Sequence, residues 1–291
     1  MGESESNLEE VERAGSLGLR RFGTALARVT RMKRRIGAAV FLMADLVLAG
    51  ALIAETVAVR NAEGLVRGFL VLRSLEGTIL AGADNIQTSQ GDRVTTRLIY
   101  RFKDGSLRDE TAVFTQRGRF RLLSDHVIQR GPSFPYPMEV WIDAVAGRVT
   151  VRYREKDGKE ITLDEQMALP VDVSNGMVLT LLKNLAPDIS STELSMVVAT
   201  PKPRLVKLAI RRVGNERFSV GNVSYDATRF DVHVELGGLA GIIAPLIGKQ
   251  PHDSSAWILD GTAPGFVKSE GPMYAGGPVW RTELASPAWP R

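Results

Sequence analysis

The feature that most constrains the fold is a side-chain alternation of period two that recurs along the chain after Ala58. Val94, Thr96, Leu98, Tyr100 and Phe102 alternate with Arg93, Thr95, Arg97, Ile99 and Arg101. Val149, Val151 and Tyr153 alternate with Arg148, Thr150, Arg152 and Arg154, and Phe230, Val232, Val234 and Leu236 with Asp231, His233 and Glu235. Successive side chains of a strand point to opposite faces, so these segments bury one face and wet the other, as strands of antiparallel sheets do. Asp104-Gly105-Ser106, Arg117-Gly118, Ala146-Gly147, Asp157-Gly158 and Val213-Gly214-Asn215 supply turn residues between the runs. Strands are expected near 64–73, 77–88, 92–103, 107–116, 119–129, 138–143, 148–154, 159–168, 192–200, 204–213, 216–220, 224–236, 255–260 and 279–285. The expected class is mainly β: a long antiparallel, strongly curved meander or a partly open barrel with two short apolar helices.

Those helices lie where the alternation breaks. Ser174 is a candidate N-cap for a helix whose Met177, Val178, Leu181, Leu182 and Leu185 form one stripe, stopped near Pro187. Leu236–Gly248 carries Ile242, Ile243, Leu246 and Ile247 among Gly and Ala, and is too short to span a bilayer. Two Pro-rich stretches read as loops: Gly131-Pro132-Ser133-Phe134-Pro135-Tyr136-Pro137 and Pro201-Lys202-Pro203. Stiff loops of the first kind rigidify a crossing or present their aromatics as a contact surface.

The N-terminus reads differently. Met32-Lys33-Arg34-Arg35 precedes the 19-residue apolar run Ile36–Ala54, broken only by Asp45, with small residues at Ala49-Gly50-Ala51. A basic start, an apolar middle and a small-x-small end describe a secretory signal. The alternative is an anchor in the inner membrane through residues 36–54, with Arg34 and Arg35 holding the start in the cytoplasm; Asp45 disfavours a permanent span by about 2.5–3.5 kcal/mol. The division expected is 1–31 as an extension or a mis-assigned start, 32–54 as signal peptide or anchor, and 59–291 as a single curved β domain, with a soft boundary near 187–191. Membrane contact is expected only through the N-terminal segment.

Charge and composition limit the chemistry. Residues 1–35 hold eight Lys/Arg against five Glu, and residues 55–291 hold 29 Lys/Arg against 27 Asp/Glu. The body is therefore near neutral with interspersed signs, which argues against a nucleic-acid partner. With no Cys, there is neither a disulfide scaffold nor a catalytic thiol. His126, His233 and His252 are too far apart for a metal motif, and no metal or cofactor is expected. His126 beside Asp125 points to the opposite face of the same strand. Asp109-Glu110 and Asp164-Glu165 diverge in the same way, and no catalytic residue is assigned.

A signal-like leader, a Cys-free body, a long meander and a mid-chain amphipathic helix, with Thr96-Arg97-Leu98-Ile99-Tyr100-Arg101-Phe102-Lys103-Asp104-Gly105-Ser106 as a strand–turn segment, resemble uncharacterised exported bacterial β-meander proteins. In architecture these are similar to periplasmic lipoprotein carriers and other half-barrel lipid-handling proteins. The resemblance implies a curved sheet wrapping an apolar concave face, and it transfers no functional residue. On that basis the expected function is an exported, periplasmic cell-envelope protein binding a lipid or other apolar ligand in a concave site. Leu98, Tyr100 and Phe102 from one strand, and Met177, Leu181 and Leu185 from the helix, would line it. The alternative is an envelope structural or protein-interaction module that works through its sheet edges or the Pro-rich loop; a hydrolytic enzyme is the third reading.

Overall fold

Alternation is realised as strands because each apolar stripe finds a neighbour on both sides. The computed structural model describes residues 56–155, 157–220, 223–235 and 252–285. In chain order the elements are β1 (Val66–Ser74), β2 (Ile79–Gln90), β3 (Arg93–Phe102), β4 (Leu107–Thr115), β5 (Arg121–Arg130), β6 (Met138–Asp143), β7 (Arg148–Arg154) and β8 (Glu160–Gln166). A short helix, α1 (Val178–Leu182), follows, and then β9 (Ser191–Thr200), β10 (Lys202–Val220), β11 (Val223–Glu235), β12 (Ser254–Leu259), β13 (Gly265–Pro272) and β14 (Val279–Leu284).

All fourteen strands belong to one antiparallel sheet in the order β8-β7-β6-β5-β4-β3-β2-β1-β14-β13-β12-β11-β10-β9. Two meanders are thus joined back to back by the β1–β14 pair, with Leu70 opposite Leu284 and Leu72 opposite Thr282. Each step inside a meander is a hairpin, which antiparallel strands can make with a short turn. The chain moves from one edge strand to the other only once, through the segment 167–190 that carries α1. The sheet is open and curved, and its concave face is filled by this crossing. Val173, Met177, Leu181 and Leu182 join a buried cluster with Ala112 and Phe114 of β4, Val149 and Val151 of β7, Leu208 and Ile210 of β10, and Phe230 of β11.

The two edges of the sheet end differently. On β9, Ser174 N donates to Ser195 O (2.9 Å) and Ser195 N to Asp172 O (3.3 Å). The Asn175 amide then acts as a further strand residue would: Val197 N donates to its Oδ1 and its Nδ2 donates to Val197 O, both at 2.8 Å. That edge is closed against further pairing. On β8, the acids Asp164 and Glu160 form ion pairs with Arg148 and Arg152 of β7.

Three expectations change. The separate strands 204–213 and 216–220 are one strand, β10, because Val213 is taken up as a bulge between Arg212 and Gly214, and Gly214 stays in the ladder opposite Arg229. β13 had no counterpart in the sequence reading. The helix after Ser174 shrinks to five residues and begins after Met177, which has no side-chain cap; Ser174 Oγ instead donates to Ser195 O at 2.8 Å. The expected second helix, Leu236–Gly248, and the leader and anchor over 1–54 lie outside the described residues. Among the described residues no helix is long and apolar enough to cross a membrane.

Candidate functional site

The six residues expected to line a concave site fall into two packed regions. Met177 and Leu181, 2% and 3% exposed, sit in the large cluster under the crossing, and Leu185 packs against it. Tyr100 and Phe102 belong to a second cluster with Leu70, Leu72, Ala81, Ala83 and Phe134, against which Leu98 packs. The structure therefore does not bring the strand stripe and the helix stripe together. Each is buried against different partners.

Between the two clusters runs a polar belt on the concave face of β3–β5. Tyr100 stands opposite Arg108, Leu98 opposite Glu110, and Ala112 opposite Asp125. The Tyr100 hydroxyl shares a hydrogen bond with Thr282 Oγ1 across the sheet (3.1 Å), and burial raises its pKa. Arg108 pairs with Glu110 at 3.0 Å. Asp125 is 2% exposed, and its Oδ1 has no hydrogen-bond partner. Burial, reinforced by the charge of Glu110, pushes its pKa well up, so the folded protein keeps this carboxyl protonated far above the usual carboxylate range. The loop before α1 closes directly over it: at Gly176, whose φ is +66°, a Cβ would lie 2.8 Å from Asp125 Oδ1 and 2.5 Å from the Ala112 Cβ. The loop before α1 thus covers the unpartnered Asp125 Oδ1.

His126 points the other way, as the sequence requires. Its ring stacks on Trp141 (5.0 Å, 9°) and its Nε2 shares a hydrogen bond with Glu139 Oε1 (2.9 Å). His233 Nδ1 meets Asp253 Oδ1 at 2.6 Å on a half-exposed face. Asp109 is held by Arg97 and Asp164 by Arg148, both as convex-face ion pairs. Among the described residues no three His, Asp or Glu side chains converge as ligands of a metal ion would.

The segment that does present an organised surface is the Pro-rich loop between β5 and β6. Phe134 is its anchor, 2% exposed, and meets Phe102 edge-to-face at 5.4 Å and Tyr274 at 5.7 Å. Ser133 N donates to Ser106 Oγ (2.8 Å), Ser133 Oγ to Asp104 Oδ2 (2.7 Å), and Gln129 Nε2 to Tyr136 O (2.9 Å). Gly131 allows this close seat: its φ is +101°, and a Cβ there would stand 2.5 Å from Ser106 Cα. Pinned at both ends, the loop holds Tyr136 out between two prolines at 61% exposure. A large aromatic with few side-chain torsions on a stiff support loses little entropy on contact, which is the property of interface anchors.

No family model matches the chain, and no curated protein matches it. Among solved structures, the chain is similar to a β-barrel-like protein of the domain of unknown function DUF1849 from Brucella abortus, at 9% identity and a TM-score of 0.44, over 78% of this chain and 98% of that one.

Proposed function

We propose that the protein is an exported cell-envelope component that works through its outer surface as a protein-interaction module, with Tyr136 at the centre of the contact. The observation that carries this reading is the pairing within one loop of a buried anchor, Phe134, and a displayed aromatic, Tyr136, on a hydrogen-bonded frame. The basic and apolar run from Met32 to Ala54 supports export, either released to the periplasm or held at the inner membrane. The packing of Met177 and Leu181 into the large core cluster favours this reading over an apolar carrier, which needs an open concavity.

A photo-crosslinking amino acid placed at Tyr136, in the full chain expressed in a Gram-negative host, tests it. The expected result is a discrete covalent adduct that a probe at Val145, still more exposed on the β6–β7 turn, does not give. Identical products at both positions count against the interaction reading. Saturable binding of a fluorescent fatty acid, blocked by Met177→Trp with the fold intact, would replace it with the apolar-carrier reading.

A further inference from the structure

Because neighbouring strands are antiparallel throughout, their connections fall alternately at two rims of the sheet. One rim holds the start of β1 and the β2–β3, β4–β5 and β6–β7 turns; the other holds the β1–β2 and β3–β4 turns and the Pro-rich loop. The first is also where the chain enters the domain. Ala58 bridges to Arg119, Val59 N donates to Gly118 O (2.9 Å), and Phe120 N donates to Val57 O (3.0 Å). The Arg119 guanidinium donates to Thr56 O, so the first described residues are fastened along the β4–β5 turn. In the sequence only Glu55 separates Thr56 from the apolar run Ile36–Ala54.

This entry rim is basic. Segments 90–93 and 115–121 carry four Arg against one acid, Asp92, which Arg117 engages at 2.8 Å. Arg93 and Arg121 stand on either side of Thr115, both exposed, and neither side chain has an ion-pair partner among the described residues. Arg67 on β1 is likewise exposed and unpaired. Leu65 beside it is 81% exposed, and its neighbours are tied to this rim: Glu63 N donates to Gln116 Oε1 (2.7 Å) and Gln87 Nε2 to Gly64 O (3.0 Å). The β10–β11 hairpin projects at the same rim. The last β9 partner of β10 is Arg211 and the pairing of β11 with β12 starts at Ala227, so Arg217 to Val220 and Val223 to Asp226 continue as a pair beyond both. Val223 and Tyr225 lie on one face of this hairpin, 53% and 40% exposed, with the Tyr225 ring braced on the buried Phe218 (5.6 Å, 26°).

We propose that the entry rim rests on an anionic lipid bilayer, with Arg67, Arg93 and Arg121 among the headgroup phosphates and Leu65, Val223 and Tyr225 at the interface. Basic residues next to an apolar segment are drawn to an anionic leaflet. Exposed arginines without a protein partner break no ion pair when they meet it, and their long stems reach the headgroups. Tyrosine suits the boundary, with an apolar ring and a polar tip. This contact rests on the inner-membrane form of the envelope reading and gives it an orientation. Phe102, at the far end of ten-residue β3, packs on Phe134 of the Pro-rich loop. Tyr136 is thus held about one strand length, roughly 30 Å along the sheet, from the bilayer and faces away from it.

The chain has no Cys, so single cysteines label it at chosen sites. Full-length Leu65→Cys, Val223→Cys and, on the opposite rim, the exposed Glu76→Cys each carry an environment-sensitive fluorophore. They are incorporated into vesicles of phosphatidylcholine, alone or mixed with phosphatidylglycerol, that contain a lipid with a nitroxide-labelled headgroup as quencher. In the mixed vesicles the labels at Leu65 and Val223 should be quenched several-fold more than the label at Glu76. Joint Arg93→Glu and Arg121→Glu, or high salt, should bring the Leu65 quenching down towards the Glu76 level, as screening of headgroup charge does. Circular dichroism shows whether the double variant is folded; if it is not, the salt series decides. Equal quenching at Leu65 and Glu76, or quenching indifferent to phosphatidylglycerol, overturns the rim contact and leaves the inner-membrane reading standing wherever the chain floats with the vesicles. A chain that floats with neither vesicle overturns both. The Tyr136 crosslink reports the protein contact separately.

Discussion

The two faces of the sheet solve opposite problems with the same strands. On the concave face of β3–β7 the side chains meet the 167–190 crossing and are packed dry, with Phe114, Val149 and Val151 fully buried. On the convex face of β10–β14, rows of charges run across the strands: Asp231 pairs with Arg211 and Arg229, Glu270 with Arg281, and Glu283 with Arg73. The first face has little tolerance because its apolar side chains are buried against the crossing. The second is a ladder of ion pairs, each of small value where both partners reach water and more sheltered at Glu283, whose side chain is 7% exposed.

The sharpest way to break this contrast is a charge placed on each side of one strand. Tyr100→Asp puts an unpaired carboxylate in the second cluster and should destabilise by roughly 3 kcal/mol or more. Arg101→Asp next to it loses only an exposed pair with Asp84 and should change stability by about 1 kcal/mol or less. Denaturant midpoints of the two variants check this, and equal effects would mean that the faces are not distinct. Leu181→Ala probes the filling of the concave face directly. A packed core predicts a loss of about 2–5 kcal/mol, and a loss below about 1 kcal/mol would indicate space around the helix.

Asp125 sharpens the comparison through pH. Its folded-state pKa is raised by burial and by Glu110, so the folded state holds a proton that the unfolded state releases. The stability linked to that proton is fully present below the ordinary carboxylate range. It is lost as pH rises from there through the raised folded value. Asp125→Asn removes this loss. The variant should match the parent in acid and become the more stable by about 1–3 kcal/mol near neutral pH. Unfolding curves across that range check it, and a difference independent of pH would mean that Asp125 is ionised in place. The smallest effect is expected on the convex face: Arg148→Ala, which removes an exposed pair with Asp164, should cost about 0–1 kcal/mol and lose even that in high salt.

Most of the sheet was legible because its strands are amphipathic. Thirteen of the fourteen correspond to the period-two runs, and the assignment of Tyr100 inward and Arg101 outward follows from that period alone. What failed did so for nameable reasons. Gly214 reads as a turn residue, but a bulge at Val213 precedes it and the ladder with β11 continues through it. β13, Gly-Phe-Val-Lys-Ser-Glu-Gly-Pro, has a weak strand pattern of its own and is held by β12 and β14 on either side. Ser174 has the composition of a helix cap, yet β9 captures it first. The stripes of Leu98, Tyr100 and Phe102 and of Met177, Leu181 and Leu185 were legible as buried faces, but which cluster each joins depends on the path of the crossing. The small buried cluster of Phe218, Ala227, Trp257 and Val267 carried no signal, since its residues come from β10 to β13 and meet through strand pairing. For the Pro-rich loop, composition gave its stiffness; that Phe134 turns in and Tyr136 out was settled by tertiary contacts.

The suture between β1 and β14 has a consequence for how the chain comes to be folded. Sequence neighbours zip into two separate meanders by local hairpins, but the seam between them joins residues about as far apart as the sheet allows, Leu70 with Leu284. Closing so long a loop is the slow, entropy-opposed step of a β topology. Until Val279–Leu284 leaves the ribosome, β1 has no partner on one side and each half stands as an incomplete sheet with a raw margin. The last six-residue strand is thus the fastener of the whole domain. A chain cut short before it keeps nearly all of its hairpins and lacks the strand pairing that seams the two meanders into one sheet.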